Sequence, residues 1–316
     1  MDIKTDCIVE LYNILKQDTF DKKAFNDFLK TKGGRGFLEH ERSRHKGWDK
    51  KDLKEELRRV IIDNNYEDEY EFHKIKRDIF QLKEDIDYIE KNYNIIIDSA
   101  LKEVYKIVPH HMTIKSKIHL YGGGVDGGFT IDRREIFINY GRYIGRTDDF
   151  IDILGHELYH CRKISLENRI KYLFRIGFKS ERAMYEVVGK LIEEGIACLV
   201  QHGPILKKDD PVNALTRRNL LLRKEEFDLL NHILLSIKSN RLDYEKMAKL
   251  NIYIIGYHII STIYNSEGVL ILDHWTENLR YAEIIKKYIE ICNENNVGSG
   301  FSQEVEEWIL YRDSLC

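Results

Sequence analysis

Proline is scarce in this chain, with only 3 in 316 residues, so few positions force a helix to end. Long stretches carry apolar residues at the spacing of an α-helix, which predicts a mainly helical chain. No apolar run reaches the roughly 18 residues that a membrane span needs, and we therefore expect no membrane partner. A net charge of −3 gives no reason to expect a nucleic-acid partner.

Cysteines are few and dispersed. The chain has 5 of them, none in a C-x-x-C arrangement, so the pattern does not suit a disulfide framework. The first residues also lack the apolar segment of a secretory signal. These features predict free thiols in a cytoplasmic protein. With 43% hydrophobic and 33% charged residues, the chain is expected to be globular rather than disordered.

The most informative feature that is present is the sequence His-Glu-Leu-Tyr-His at residues 156–160. Side chains four residues apart are neighbours on a helix surface, so His156 and His160 can direct two imidazoles at one metal ion. Zn²⁺ accepts such nitrogens at roughly 2.0–2.1 Å. Glu157 is then positioned to take a proton from a water molecule at the metal. A chain with 12 histidines and many glutamates can produce this pentapeptide by chance, so its context has to decide.

The context favours a functional motif. Phe150, Leu154 and Leu158 recur at helical spacing and put the motif on the buried side of an amphipathic helix. Burying two imidazoles and a carboxylate among such residues is costly unless they bind something. Thr147 or Asp148 is predicted to cap the helix.

A catalytic zinc also needs a third protein ligand and an open position for water. A second amphipathic helix downstream carries Glu193 and Glu194. Glu194 lies inside the apolar stripe of that helix, about 20° from Val187 around the axis, whereas Glu193 points roughly 120° away. Helix geometry therefore predicts Glu194 as the ligand and Glu193 as an ordinary solvated acid. Gly195 is expected to allow close packing against the first helix.

The two segments together resemble the gluzincin metallopeptidases, whose pattern is H-E-x-x-H followed by E-G-x-A on a later helix. They are most similar to uncharacterised bacterial families of zinc-dependent peptidases, over residues 115–200. The resemblance implies a zincin-like core in which His156, His160 and Glu194 bind zinc. It also implies that Glu157 is the general base of peptide-bond hydrolysis.

The chain departs from thermolysin-like enzymes in two respects. The 33 residues between the second histidine and Glu194 exceed their spacing. One turn after the ligand glutamate, where those enzymes carry an acid that supports a zinc histidine, this chain has Cys198. The outer support of the ligand histidines must therefore come from elsewhere.

A segment before the motif predicts a small antiparallel sheet. Residues 114–121, 129–131 and 136–140 have strand patterns, and five glycines lie within residues 122–128. In gluzincins such a sheet has an edge strand that pairs with an extended peptide substrate. The glycine run is not a phosphate-binding loop, because no G-K-[ST] follows it. Two roles for the glycine run remain open: it could be a hairpin loop, or it could contact the substrate.

A downstream apolar helix offers groups that could stabilise the oxyanion of peptide hydrolysis. It carries Tyr253 and Tyr257 in a Tyr-x-x-Gly-Tyr arrangement, which the similar peptidase families share. A tyrosine hydroxyl or a histidine near zinc is a suitable donor. Tyr257 is the first candidate, followed by Tyr253 and His258. A purely structural role stays open, since the chain has 19 tyrosines.

These observations predict a mainly α fold of the α+β type in three parts. Residues 1–105 form a helical region, in which glycines at 32–36 predict a loop. Residues 106–204 form the zincin-like core with its sheet and two ligand helices. Residues 205–316 form a helical region that completes the cleft.

The predicted function is that of a zinc metallopeptidase acting on a peptide or protein substrate. Two alternatives remain open at this point. One is a zinc hydrolase or amidase that uses the same site on a small molecule. The other is a helical binding or regulatory protein in which the metal is structural or absent. The oligomeric state, cleavage preference and physiological substrate do not follow from the sequence.

Overall fold

A computed structural model of the protein describes residues 1–44, 49–175 and 179–313, and it is mainly helical with one small sheet. Contacts divide the chain into two units. One comprises residues 1–102 and 114–162, and the other comprises residues 103–113 and 163–316. The predicted division into three parts remains a prediction. Within the described ranges, no helix has the length and apolar character needed to cross a membrane.

The first unit contains the whole sheet. Its elements, in chain order, are β1 (Ile3–Lys4), α1 (Asp6–Leu15), α2 (Lys22–Lys30), α3 (Lys32–Arg44), α4 (Lys50–Ile62), α5 (Phe72–Arg77), α6 (Ile79–Val104), β2 (Lys117–Tyr121), β3 (Gly128–Ile131), β4 (Glu135–Asn139) and α7 (Thr147–His160).

The sheet has the strand order β1-β2-β4-β3. β3 and β4 pair antiparallel across a turn in which Asp132 and Arg133 have φ of 50° and 56°, the left-handed conformation that tight hairpins need. β2 pairs in parallel with both β1 and β4. The sheet is therefore mixed, and the predicted antiparallel sheet is wrong for β2, because β4 lies between β2 and β3.

The glycine-rich connection between β2 and β3 explains this topology. It must cross two strand spacings, about 9.6 Å, and it passes the end of β4, where Asn139 binds it. The Asn139 side chain donates to the carbonyls of Gly123, Gly124 and Asp126, each at 3.0 Å, and its Oδ1 accepts from the Gly123 N–H. The run is thus a loop bound to β4, and not a hairpin loop between neighbouring strands.

The predicted loop at residues 32–36 is wrong, because these residues begin α3. A Cβ at Gly33 would lie 2.6 Å from that of Cys7, and one at Gly36 would lie 2.3 Å from the ring of Phe137 on β4. The glycines therefore let α3 approach α1 and the sheet closely. Packing outweighs the helix-propensity cost of about 1 kcal/mol for each glycine.

The second unit is helical. Its elements are α8 (Leu166–Arg175), α9 (Lys179–His202), α10 (Arg223–Lys238), α11 (Tyr244–Lys249), α12 (Ile252–Glu267), α13 (Asp273–Thr276), α14 (Ala282–Glu294) and α15 (Gln303–Asp313).

Two glycines mark the point where α9 and α12 approach most closely. A Cβ at Gly195 would lie 2.4 Å from the carbonyl oxygen of Gly256, and one at Gly256 would lie 2.3 Å from that of Leu191. Gly195 therefore allows α9 to approach α12 closely. The helix expected to pack against Gly195 was the H-E-x-x-H helix, and the structure places α12 there instead. Backbone contact of this kind leaves α9 little freedom to shift along α12.

Candidate metal centre

Helix α7 carries the H-E-x-x-H motif and begins at Thr147. The prediction that Thr147 or Asp148 caps this helix is wrong. The residue before the helix is Arg146, and no side chain caps it. Asp148 and Asp149 instead lie in the first turn, where the helix dipole favours negative charge. The predicted buried stripe is confirmed, with Phe150, Leu154 and Leu158 fully buried.

The two histidines of the motif lie together at the end of α7. Their ring centroids are 5.1 Å apart and the ring planes are inclined by 70°. His156 is buried and His160 is half-buried. This is the arrangement expected when residues four apart on a helix face the same side.

Glu157 is buried against β3 in the same unit. Its Oε2 accepts a hydrogen bond of 2.7 Å from the Thr130 hydroxyl. A Cβ at Gly128 would lie 3.3 Å from its Oε1, so the missing side chain at that position leaves room for the carboxylate. Because alternate residues of a strand share a face, Gly128 and Thr130 together form the surface on which Glu157 rests.

Helix α9 carries both candidate glutamates, and Trp275 fixes the direction of one of them. The Trp275 indole lies over Gly189, where a Cβ would meet the ring at 2.6 Å, and its Nε1 donates to Glu193 Oε2 at 2.7 Å. Glu193 is therefore a half-buried hydrogen-bond acceptor, and the prediction of an ordinary solvated acid is wrong. Glu194 points about 100° away around the axis of α9.

His156, His160 and Glu194 form a cluster that could hold a metal ion. Each offers one ligand atom, and these atoms all lie within 4.8 Å of one another. Tetrahedral ligands at 2.0–2.1 Å from zinc are about 3.3 Å apart, a separation that lies inside the 4.8 Å within which these atoms are found. Two imidazoles and one carboxylate are also a donor set that zinc enzymes use with one position left open. The residues present fit zinc.

The cysteines near these residues are poor ligand candidates. Cys161 and Cys198 are free and buried. Burial raises the pKa of Cys161 to about 11 and raises the pKa of Cys198 well above its ordinary value. Among the described residues, the group that could hold a metal ion contains neither thiol. Cys7 and Cys292 are likewise free and buried, and Cys316 lies outside the described residues.

Tyr257 has a hydrogen-bond partner beyond the end of α9. Its hydroxyl donates to the Gly203 carbonyl at 2.9 Å, and the residue is buried. Gly203 is nine residues past Glu194, about 13 Å along the helix axis. Tyr253 packs on the cluster that Tyr257 forms with Cys198 and other core residues. These contacts give both tyrosines a structural role, and their role in oxyanion stabilisation stays a prediction.

His258, the third candidate for that role, lies among aromatic residues. Its ring contacts Phe227 and Tyr288 edge-on at 6.2 and 5.9 Å between centroids. Burial, with a smaller effect of Arg223, lowers the pKa of His258 to about 4. The ring is therefore neutral near pH 7.

Two residues that position the glutamates, Thr130 and Trp275, were not among the predicted site residues. Thr130 carried a usable signal, because strand alternation puts it on the same face as Gly128, the one position in the strand without a side chain. Trp275 carried no such signal, since its contact with Glu193 joins residues 82 apart.

One comparison with known proteins gives a match, and it covers most of the chain. A family model described as "Putative zinc dependent peptidase (DUF5700)" matches residues 25–297, a region that includes β3, α7 and α9. No curated protein and no solved structure matches the chain. The zinc dependence in the family's description agrees with the His-His-Glu cluster.

Proposed function

The chain belongs to the family that carries this description, and from that premise we propose that it hydrolyses peptide bonds as a gluzincin-like enzyme. The observation that carries the proposal is the cluster of His156, His160 and Glu194, whose ligand atoms lie within 4.8 Å of one another. These three residues would hold the zinc ion. When bound there, zinc supplies Lewis acidity, which polarises a carbonyl oxygen and lowers the pKa of a water molecule.

Glu157 would then transfer the protons of the reaction. Its carboxylate accepts a proton from the attacking water and delivers that proton to the leaving nitrogen. Thr130 holds one carboxylate oxygen through its hydroxyl, so the other oxygen is the one left for proton transfer. Burial of Glu157 keeps competing water away from the carboxylate.

The position of β3 supports a peptide as the substrate rather than a small molecule. β3 is the last strand of the sheet and pairs with β4 on one side. All four of its residues are half-buried, and in the described part of the chain no further strand pairs with its other edge. An extended peptide can add to such an edge through main-chain hydrogen bonds. Thr130, in the middle of β3, would place that peptide beside Glu157.

Metal removal tests the proposed function. Protein purified without added metal is expected to contain close to one zinc per chain by elemental analysis. It should cleave members of a fluorogenic peptide library, lose that activity with a chelator and regain it with zinc. Hydrolysis of small amides without peptide cleavage would favour the small-molecule hydrolase. Absence of zinc from the folded protein would favour the binding protein.

Thr130 is expected to act as a positioning residue for Glu157. Thr130→Val keeps the shape and strand propensity of the side chain but removes the donor to a buried carboxylate. A hydrogen bond to a charged group contributes about 1.5–3 kcal/mol, so we expect kcat to fall about tenfold or more. KM should change little, because the substituted hydroxyl contacts Glu157 and not the substrate. Steady-state kinetics measure both constants.

Thr130→Ser is the matched control, because serine restores the hydroxyl. Its kcat is expected to lie within about twofold of the parent enzyme, given that the donor is retained. Zinc content should be unchanged in both variants. A loss of thermal stability in Thr130→Val without a change in kcat would contradict the positioning role.

A further inference from the structure

A row of four aromatic rings crosses one face of the sheet. His119 on β2 and Phe129 on β3 are both register partners of Phe137 on β4, and their rings stack on its ring at 5.1 and 4.9 Å between centroids. His40 of α3 continues the row. Its ring lies 4.1 Å from that of Phe129 and is inclined to it by 7°. Three of the rings therefore come from neighbouring strands, and the fourth comes from a helix.

The His40 ring lies beyond β3, the last strand of the sheet. Phe137 occupies one face of the Phe129 ring. A second ring, nearly parallel to Phe129 and this close to it, would overlap Phe137 if it lay on the same face. It therefore lies on the other face, toward the edge of β3 where no strand pairs in the described ranges. Because adjacent strands are about 4.8 Å apart, His40 takes the place of a side chain from a further strand.

Contacts with the sheet and with the loop before β3 hold this ring in position. Its Nε2 donates to Asp126 Oδ2 at 2.7 Å, and Asp126 lies two residues before β3. Arg44, one turn further along α3, pairs with the same carboxylate oxygen. One turn before His40, Gly36 lets α3 approach Phe137, since a Cβ there would lie 2.3 Å from the ring. The side chain and its helix are thus both bound to the first unit.

We propose that His40 determines substrate specificity by admitting only glycine, alanine or serine at one position of the peptide. The proposal rests on the proposed function, in which a peptide adds to the free edge of β3. Side chains directly opposite each other in adjacent strands lie on the same face, so the peptide residue opposite Phe129 directs its side chain at His40. The two stacked rings stand at the same height, farther from the backbone than a Cβ atom. A small side chain fits below the imidazole, whereas a longer one needs the same space.

The restricted residue adjoins the bond to be cleaved. Glu157 rests against Gly128 and Thr130 on the opposite face of β3, and these two residues flank Phe129. The peptide residues next to the restricted one direct their side chains to the face of Glu157, because successive side chains of a strand alternate. A preference set by His40 should therefore appear beside the cleaved bond and not at distant positions.

Cleavage of a peptide library tests the proposal. The parent chain is incubated with peptides of mixed sequence, and mass spectrometry identifies the residues around each cleaved bond. Glycine, alanine or serine should dominate at one position beside that bond. For two fluorogenic peptides that differ only there, kcat/KM should be at least about tenfold higher with alanine than with leucine, as a steric pocket provides. His40→Ala should bring the two values within about twofold of each other, because removal of the ring leaves room for leucine.

Two further variants are the matched controls. His40→Phe restores a ring that can stack on Phe129, so it should retain the preference for alanine. Glu39 is the adjacent, exposed residue of α3, and Glu39→Ala should leave both kcat/KM values unchanged. Zinc content and thermal unfolding, measured for every variant, show that each is folded and loaded.

Two results would overturn this proposal alone. One is a parent chain that cleaves peptides without a preference for small residues beside the bond, and the other is an unchanged preference in His40→Ala. In both cases the chain is still a peptidase. A parent chain that cleaves no peptide would instead overturn the proposed function, and this proposal with it.

Discussion

Glu157→Gln is expected to abolish turnover while the protein still binds close to one zinc per chain. Glutamine has the shape of glutamate, and its amide oxygen can still accept the Thr130 hydrogen bond, but it cannot take up a proton. General acid–base catalysis contributes about 10²–10⁴-fold. One residue would here serve both proton transfers, so we expect kcat to fall at least about a thousandfold. Cleavage of a fluorogenic peptide measures this loss.

The metal content of the Glu157→Gln variant separates a base from a ligand. Elemental analysis and zinc titration should give the parent stoichiometry and a dissociation constant within about tenfold of the parent value, since an outer-shell residue affects metal affinity by about 10–100-fold at most. Loss of zinc from the variant would mean that Glu157 is a ligand or a structural acid. Retained turnover would remove Glu157 from the mechanism altogether.

Glu194→Gln is expected to weaken zinc binding by more than about a hundredfold, beyond the range of outer-shell substitutions. The change removes the one negatively charged ligand of the cluster, because a neutral amide replaces the carboxylate and both histidines bind zinc as neutral imidazoles. Two histidines alone would leave two of the four coordination positions of zinc without a protein ligand, whereas a catalytic site leaves one. Competition with a chromophoric zinc chelator measures the dissociation constant, and peptide cleavage should fall in parallel at limiting zinc.

Glu193→Gln is the matched control on the adjacent position of α9. Its amide oxygen can still accept the hydrogen bond from the Trp275 indole, so the packing of that side chain is kept. The zinc dissociation constant should stay within about threefold of the parent value, because substitution of a residue that does not bind the metal removes no ligand. Equal weakening in both variants would defeat the assignment of Glu194, and weakening in Glu193→Gln alone would assign the ligand to Glu193.

Local periodicity was sufficient to predict the helical character of the chain and the helices around the motif. α7 and α9 both appear where apolar residues recur at helical spacing. The same spacing brought His156 and His160 to one side of α7, and the stripe argument selected Glu194 from two adjacent acids. Predictions of this kind depend on angles around a single helix, which the residue spacing determines, and the choice of Glu194 as a ligand stays a prediction.

Predictions failed where the answer depended on residues distant in the chain. Three glycines at 32–36 suggested a loop, but close packing on Cys7 and Phe137 makes them part of α3. Glu193 was expected in solvent, and Trp275 gives it a hydrogen bond instead. Intrinsic propensity is a weak term of about 1 kcal/mol per residue, so tertiary contacts readily override it.

By itself, the sequence determined the helical class of the protein, the H-E-x-x-H helix and the three side chains that could bind zinc. Only the tertiary structure decided that β4 lies between β2 and β3, that Thr130 supports Glu157, and that Glu193 is half-buried and bound to Trp275. The division has a physical cause. Spacing along one helix is encoded in consecutive residues, whereas strand order, hydrogen bonds between elements and the exposure of a face depend on packing between distant segments.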